Sequence, residues 1–248
     1  MKTKLRHSAV GFLAAFAVVS LLPVAAHAGM KLELDGDSPT NVGTALKMAV
    51  ILTGLTLAPA MILTTTSFVR IAVVLSFLRN ALGTQNMPPN QVLMGLAFFL
   101  TVAIMAPIGH ELYDSGLGPF LEGKMPAAEA ITKGTKPLKH FMIKQTRKTD
   151  LALFYDINHV ARPKGPDDVG MHLLVPAFVI SELRTSFEMG FVLYLPFLLI
   201  DLVVASTLMA LGMVMVPPAM LSLPIKIMLF VLADGWNVIV ASLVRSFL

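Results

Sequence analysis

The chain has 248 residues, of which 56% are hydrophobic and only 14% charged, with a formal net charge of +4 and no cysteine. A soluble domain carries about 25% charged residues, so the deficit argues for lipid or a very apolar assembly as the surroundings; the absent cysteines exclude disulfides, thiol catalysis and cysteine-based metal sites. No basic run interleaved with aromatics accompanies the positive charge, which argues against nucleic acid as a partner and ties the excess to topology and lipid headgroups.

Lys2, Lys4 and Arg6 form a basic start, residues 9–24 an apolar run broken at Pro23, and Ala26-His27-Ala28 a small-x-small cleavage site. That order of parts predicts a secretory signal peptide over residues 1–28. The run is short for a membrane span of about 20 residues, so an uncleaved first helix is the weaker reading. The mature N-terminus is then periplasmic, and residues 29–44 form a short periplasmic segment at a bacterial inner membrane.

Four apolar blocks follow. The first is uncharged over residues 48–69 and continues past Arg70 to Leu78. The second runs from Gln91 to Ile108. The third runs from Phe187 to Val216, interrupted by Asp201, and the fourth from Leu221 to Leu243, interrupted by Lys226 and Asp234. Each is long enough to cross about 30 Å of hydrocarbon as a helix. Met87-Pro88-Pro89-Asn90 and Pro217-Pro218 mark turns, because a Pro-Pro step cannot continue a helix.

The expected fold is therefore all-α: an integral membrane protein of two long helical hairpins, residues 45–110 and 187–248. A polar, helical periplasmic segment, residues 111–186, lies between them. Within it, Gly116-Leu-Gly-Pro119 and Arg162-Pro-Lys-Gly-Pro166 read as loops, and Asp150 as an N-cap for Leu151–Tyr155. Ser181-Glu182-Leu-Arg184 reads as a helix start, with Thr185-x-x-Glu188 in the form of a capping box.

Arg70, Asp201 and Asp234 stand inside apolar blocks, where a charge facing lipid costs roughly 2.5–3.5 kcal/mol. They are expected to face protein or water, as a buried ion pair or subunit interface. Arg70 with Asp201 is the favoured pair, since it would join the two hairpins. An ion or proton pathway through the three is the functional alternative. Met209 and Met213 fall on one helical face at i, i+4, and with Met215 and Met220 they cluster around the second Pro-Pro turn. Methionine is adaptable and suits either a closing ring or plain gap-filling in an apolar interior.

No HExxH, P-loop, dinucleotide fingerprint or Gly-x-Ser-x-Gly is present, so no enzyme, no cofactor and no metal site is expected.

A family resemblance rests on long motifs in order. They are Ser67-Phe-Val-Arg-Ile71, Leu78-Arg-Asn-Ala-Leu-Gly-Thr-Gln85, Pro88-Pro-Asn-Gln-Val-Leu93 and Pro176-Ala-Phe-Val-Ile-Ser-Glu-Leu183. Leu199-Ile-Asp-Leu-Val-Val-Ala-Ser206, Gly212-Met-Val-Met-Val-Pro-Pro218, Ser222-Leu-Pro-Ile-Lys226 and Leu229-Phe-Val-Leu-Ala-Asp-Gly-Trp236 follow. Over residues 43–248 the chain resembles the FliP family. The same family includes the equivalent subunit of virulence type III secretion systems; the signal peptide is more like the flagellar branch.

The resemblance implies a homo-oligomer of five copies, assembled with FliR and FliQ and associated with FlhB, in a closed helical gate at the flagellar basal body. Unfolded rod, hook and filament subunits would pass through its pore. It also implies that Met209, Met213 and Met215 line the constriction, with Val214 where the family often has another methionine, and that the assembly sits partly above the membrane plane. The competing reading is a small ion or solute transporter using Arg70, Asp201 and Asp234.

Overall fold

The computed structural model describes residues 39–84, 87–163 and 165–247, with side chains from residue 46 onward. The expected signal peptide over residues 1–28 lies outside the described residues. The chain divides into two compact units, residues 1–62 and 63–248.

Helix α1 (Pro39–Thr64) carries the first apolar block. From Leu46 to Thr64 it is apolar on every side and long enough to cross a membrane, the pattern of a helix with no water-facing stripe. The block does not run on unbroken to Leu78, as the sequence pattern predicts. Thr64-Thr65-Thr66-Ser67 intervenes, and hydroxyl residues compete with the helix for backbone hydrogen bonds. Thr66 Oγ1 donates to the Leu63 carbonyl at 3.2 Å.

Helix α2 (Phe68–Leu82) starts the second unit. Its buried residues Ile71, Val74, Leu75, Leu78 and Leu82 recur at three- and four-residue steps, which place them on one face. That face packs chiefly on α7 (Met171–Ala210), and also on α3 (Asn90–Leu112). Leu93, Ala97, Thr101 and Met105 of α3 repeat every four residues and are buried. Pro89 stands immediately before α3, as the Pro-Pro turn predicts.

The middle segment is helical where composition suggested a loop. A π-helical turn over Tyr113–Leu117 and α4 (Gly118–Leu121) carry on from α3, with Pro119 in the first turn of α4. Helix α5 (Ala127–Gln145) is amphipathic, burying Ala130, Gly134, Phe141 and Met142. Helix α6 (Lys148–Ile157) begins two residues before Asp150, so Asp150 is not its N-cap. The Asp150 carboxylate instead accepts the Ser181 hydroxyl at 2.6 Å.

Helix α7 is continuous for 40 residues. The helix start expected at Ser181–Glu188 is therefore its interior: Ser181 and Glu182 face inward to partners on α6 and α2, while Arg184 and Glu188 are exposed. At about 1.5 Å per residue, α7 is roughly twice the thickness of a hydrocarbon layer. Helices α8 (Pro218–Leu232) and α9 (Gly235–Arg245) form the last apolar block, bent by 65° at Ala233-Asp234. That block is thus a broken span where the sequence suggested one helix. Among the described residues, three helices are long and apolar enough to cross a membrane, or four if the bent pair counts as one span.

Glycine permits a close contact between α2 and α7. Phe77 of α2 packs on Gly190 of α7, where a Cβ would fall 2.6 Å from the ring. The same ring meets Phe187 edge-on at 5.1 Å.

Candidate functional site: two buried charge nodes and a methionine loop

Arg70, in the first turn of α2, is 2% exposed. Burying a guanidinium is tolerable only when its donors are satisfied. Nε donates to Glu182 Oε2 at 2.8 Å and Nη2 to Glu182 Oε1 at 2.5 Å, a two-pronged pair. Nη2 also donates to Gln145 Oε1 at 3.0 Å. Nη1 reaches the Ser246 carbonyl at 2.9 Å and its hydroxyl at 3.0 Å. Those contacts use all five N–H donors an arginine has. The Phe247 ring lies 3.9 Å from Cζ, adding a cation–π contact. Gln145 Nε2 returns a bond to the Phe247 carbonyl at 3.3 Å. One side chain thereby joins α2, α5, α7 and the segment after α9.

A second node lies at the other end of α2. Lys226 of α8 donates to Asp201 Oδ2 of α7 at 2.6 Å and to the Ala81 carbonyl at 3.2 Å. The last carbonyls of a helix lack intrahelical partners and carry its negative dipole end, so the ammonium is doubly favoured there. Asp201 Oδ1 is buried with no hydrogen-bond partner.

The expected Arg70–Asp201 pair does not form. Glu182 and Asp201 are nineteen residues apart on α7, about 28 Å along a helix. Because α2 runs alongside α7 in the same direction, Arg70 meets Glu182, and the far end of α2 meets Lys226, which holds Asp201. Asp234 is in neither node. It occupies the bend between α8 and α9 with φ 49°, a left-handed position that aspartate tolerates better than most residues, and it accepts from Asn237 Nδ2 at 3.0 Å. Glu182, Gln145, Ser246 and Phe247 went unrecognised in the sequence; the one available signal was that Arg70 needed an acid that could reach it.

The methionines lie where α7 gives way to α8. Gly212 N–H donates to the Met209 carbonyl at 3.0 Å and Met213 N–H to the Leu208 carbonyl at 2.9 Å, while Gly212 has φ 76°. That is a Schellman stop. Helix α7 ends at Ala210, so Met209 and Met213 do not share a helical face: one is in the last turn and the other beyond the stop. Pro217 and Pro218 then open α8. Met209, Met213 and Met215 are all exposed, Met215 at 95%, with Leu211 and Val214 beside them. Among the described residues no group of three or more His, Asp or Glu side chains could hold a metal ion.

A model of the FliP family matches residues 51–243. The flagellar biosynthetic protein FliP of Pectobacterium carotovorum subsp. carotovorum is 54% identical over 198 residues, 80% of this chain and 77% of that protein. Its counterpart in Bacillus subtilis (strain 168) is 51% identical over 213 residues, 86% of this chain and 96% of that protein. The protein of the same name in Caulobacter vibrioides is 43% identical over 244 residues, 98% of this chain and 92% of that protein. With a family match across most of its length and identities of this size, the chain belongs to the FliP family.

Proposed function

We propose that this chain is a core pore-forming subunit of the flagellar type III protein export gate, conducting unfolded flagellar subunits and so supporting flagellum assembly. The observation that carries the reading is the loop between α7 and α8. Leu211, Met213, Val214 and Met215 are large apolar side chains held at the surface by a fixed helix stop. Such a loop needs something apolar or adaptable around it. In a ring of copies, thioether side chains can close on one another and then give way to passing chains of any sequence, because methionine repacks with little cost. The chain itself would do no chemistry, and the driving energy would come from elsewhere in the apparatus.

In this reading five copies assemble with FliR and FliQ, FlhB associates with them, and the signal peptide directs the N-terminus to the periplasm. The gate stands in the inner membrane at the basal body. The transporter reading draws no support from the geometry. Arg70 is consumed by Glu182, Asp201 by Lys226, and Asp234 stands apart, so the three form no shared site.

Native mass spectrometry of the detergent-purified chain, co-expressed with FliR and FliQ, tests this. A multi-copy complex containing the smaller partners is expected. A monomer or dimer without them would overturn it.

A further inference from the structure

The chain has 16 methionines and no cysteine, so thioethers are its only sulfur. Four of them, Met209, Met213, Met215 and Met220, fall within twelve residues around the end of α7 and the start of α8. All four are between 47 and 95% exposed. The left-handed stop at Gly212 and the Pro217-Pro218 step fix the backbone on either side of the loop, so these sulfurs are held at the surface. Met105 and Met142, by contrast, lie in the core. A thioether that two-electron oxidants can reach becomes a sulfoxide, polar where the methionine was apolar.

What the loop offers a sulfoxide decides the consequence. No side chain from Met209 to Met220 carries a hydrogen-bond donor. The flanking hydroxyls are already committed. Ser206 and Thr207 both donate to the Val203 carbonyl, at 3.0 and 2.7 Å, and Ser222 donates to the Ala219 carbonyl at 3.3 Å. A sulfoxide oxygen in this loop is therefore a strong acceptor with no side-chain donor of its own segment, and burying it unpaired costs free energy. Water is the partner that remains. Reduced, the loop favours apolar closure; oxidised, it favours hydration.

We propose that Met213 and Met215 are a modification site: a hydroperoxide-class oxidant converts them to sulfoxides, and the loop then opens to water. The sulfur lone pair attacks one peroxide oxygen. The S–O bond forms as the O–O bond breaks, and the departing hydroxide takes the proton of the transferred oxygen and leaves as water. The sulfur is oxidised by two electrons and the peroxide is reduced by two. Sulfoxide reductases return the thioether, one enzyme for each epimer, so the change is reversible. The consequence, a seal that loosens under oxidant, rests on the export-gate reading; the chemistry at the two sulfurs does not.

Vesicles holding the full chain co-purified with FliR and FliQ are loaded with a small self-quenching dye and treated with hydrogen peroxide. Peptide mass spectrometry reads the oxidation of each methionine, and fluorescence reads leakage. Met213 and Met215 should oxidise about tenfold faster than the buried Met105 and Met142. Dye should escape as those two sulfoxides accumulate, and the two sulfoxide reductases together should restore retention. In the double variant Met213→Leu, Met215→Leu, leakage measured against that variant's own untreated vesicles should no longer respond to peroxide. Leucine keeps the bulk and apolarity of methionine at these exposed positions. Loop sulfurs that react no faster than Met105 and Met142 would overturn the proposal. So would vesicles that stay tight with the loop oxidised, or a double variant that responds to peroxide as the unmodified chain does. In each of those cases a multi-copy complex in the native mass spectrum leaves the export reading standing. A lone monomer there would instead sink that reading, and the loosened seal with it.

Discussion

At the scale of residues, Arg70 and Glu182 are the pair on which the second unit depends. Each is buried almost completely, so removing one leaves the other charged, desolvated and alone. Glu182→Ala should destabilise the fold by about 3–5 kcal/mol, read as a large drop in melting temperature in detergent and loss of accumulated protein. Arg70→Lys should rescue little, because an ammonium cannot span Glu182, Gln145 and Ser246 at once. Lys226→Met should cost less than Glu182→Ala: Asp201 is 35% exposed, and water can reach it once the ammonium is gone. The same measurement ranks the two. Arg70 was legible in the sequence as a charge in need of a partner. Glu182 was not, because Ser181-Glu182-Leu-Arg184 looks like the polar edge of an apolar block. Only the packing of α7 against α2, α5 and α6 turns Ser181 and Glu182 inward while Arg184 stays outside.

Elements are decided by their ends and by close approaches. The Pro-Pro turns were legible, since proline's missing donor and fixed φ leave few alternatives, and both place a helix start correctly. The stop at Gly212 is equally local. Gly212→Ala would force a side chain to φ 76° and should cost about 1–2 kcal/mol, lowering the melting temperature and loosening the loop to limited proteolysis near Met213. Less legible were the breaks at Thr64–Ser67 and at Asp234 and the continuation of α3 into a π-helical turn, where local preference is weak and neighbouring helices decide. Gly190 is a close approach no pattern reveals. Gly190→Ala should destabilise by about 1–3 kcal/mol through overpacking on Phe77, and Phe77→Leu in the same chain should recover part of the loss.

The whole molecule is a membrane protein of the FliP family whose apolar surface exceeds what it can bury alone. Phe187, Phe191, Leu199 and Leu202 along α7 are all exposed, a surface suited to lipid or to neighbours. Composition made that much legible from the start. Copy number, partners and the path of a substrate depend on interfaces that one chain does not contain, and for those the methionine loop is the most direct probe. A photo-crosslinking amino acid at Met215, in cells whose export is stalled on a tethered flagellar substrate, should trap that substrate on this chain. A gate that assembles and exports normally, yet yields substrate adducts only from exposed helix positions such as Ile131 and never from Met215, would contradict the account.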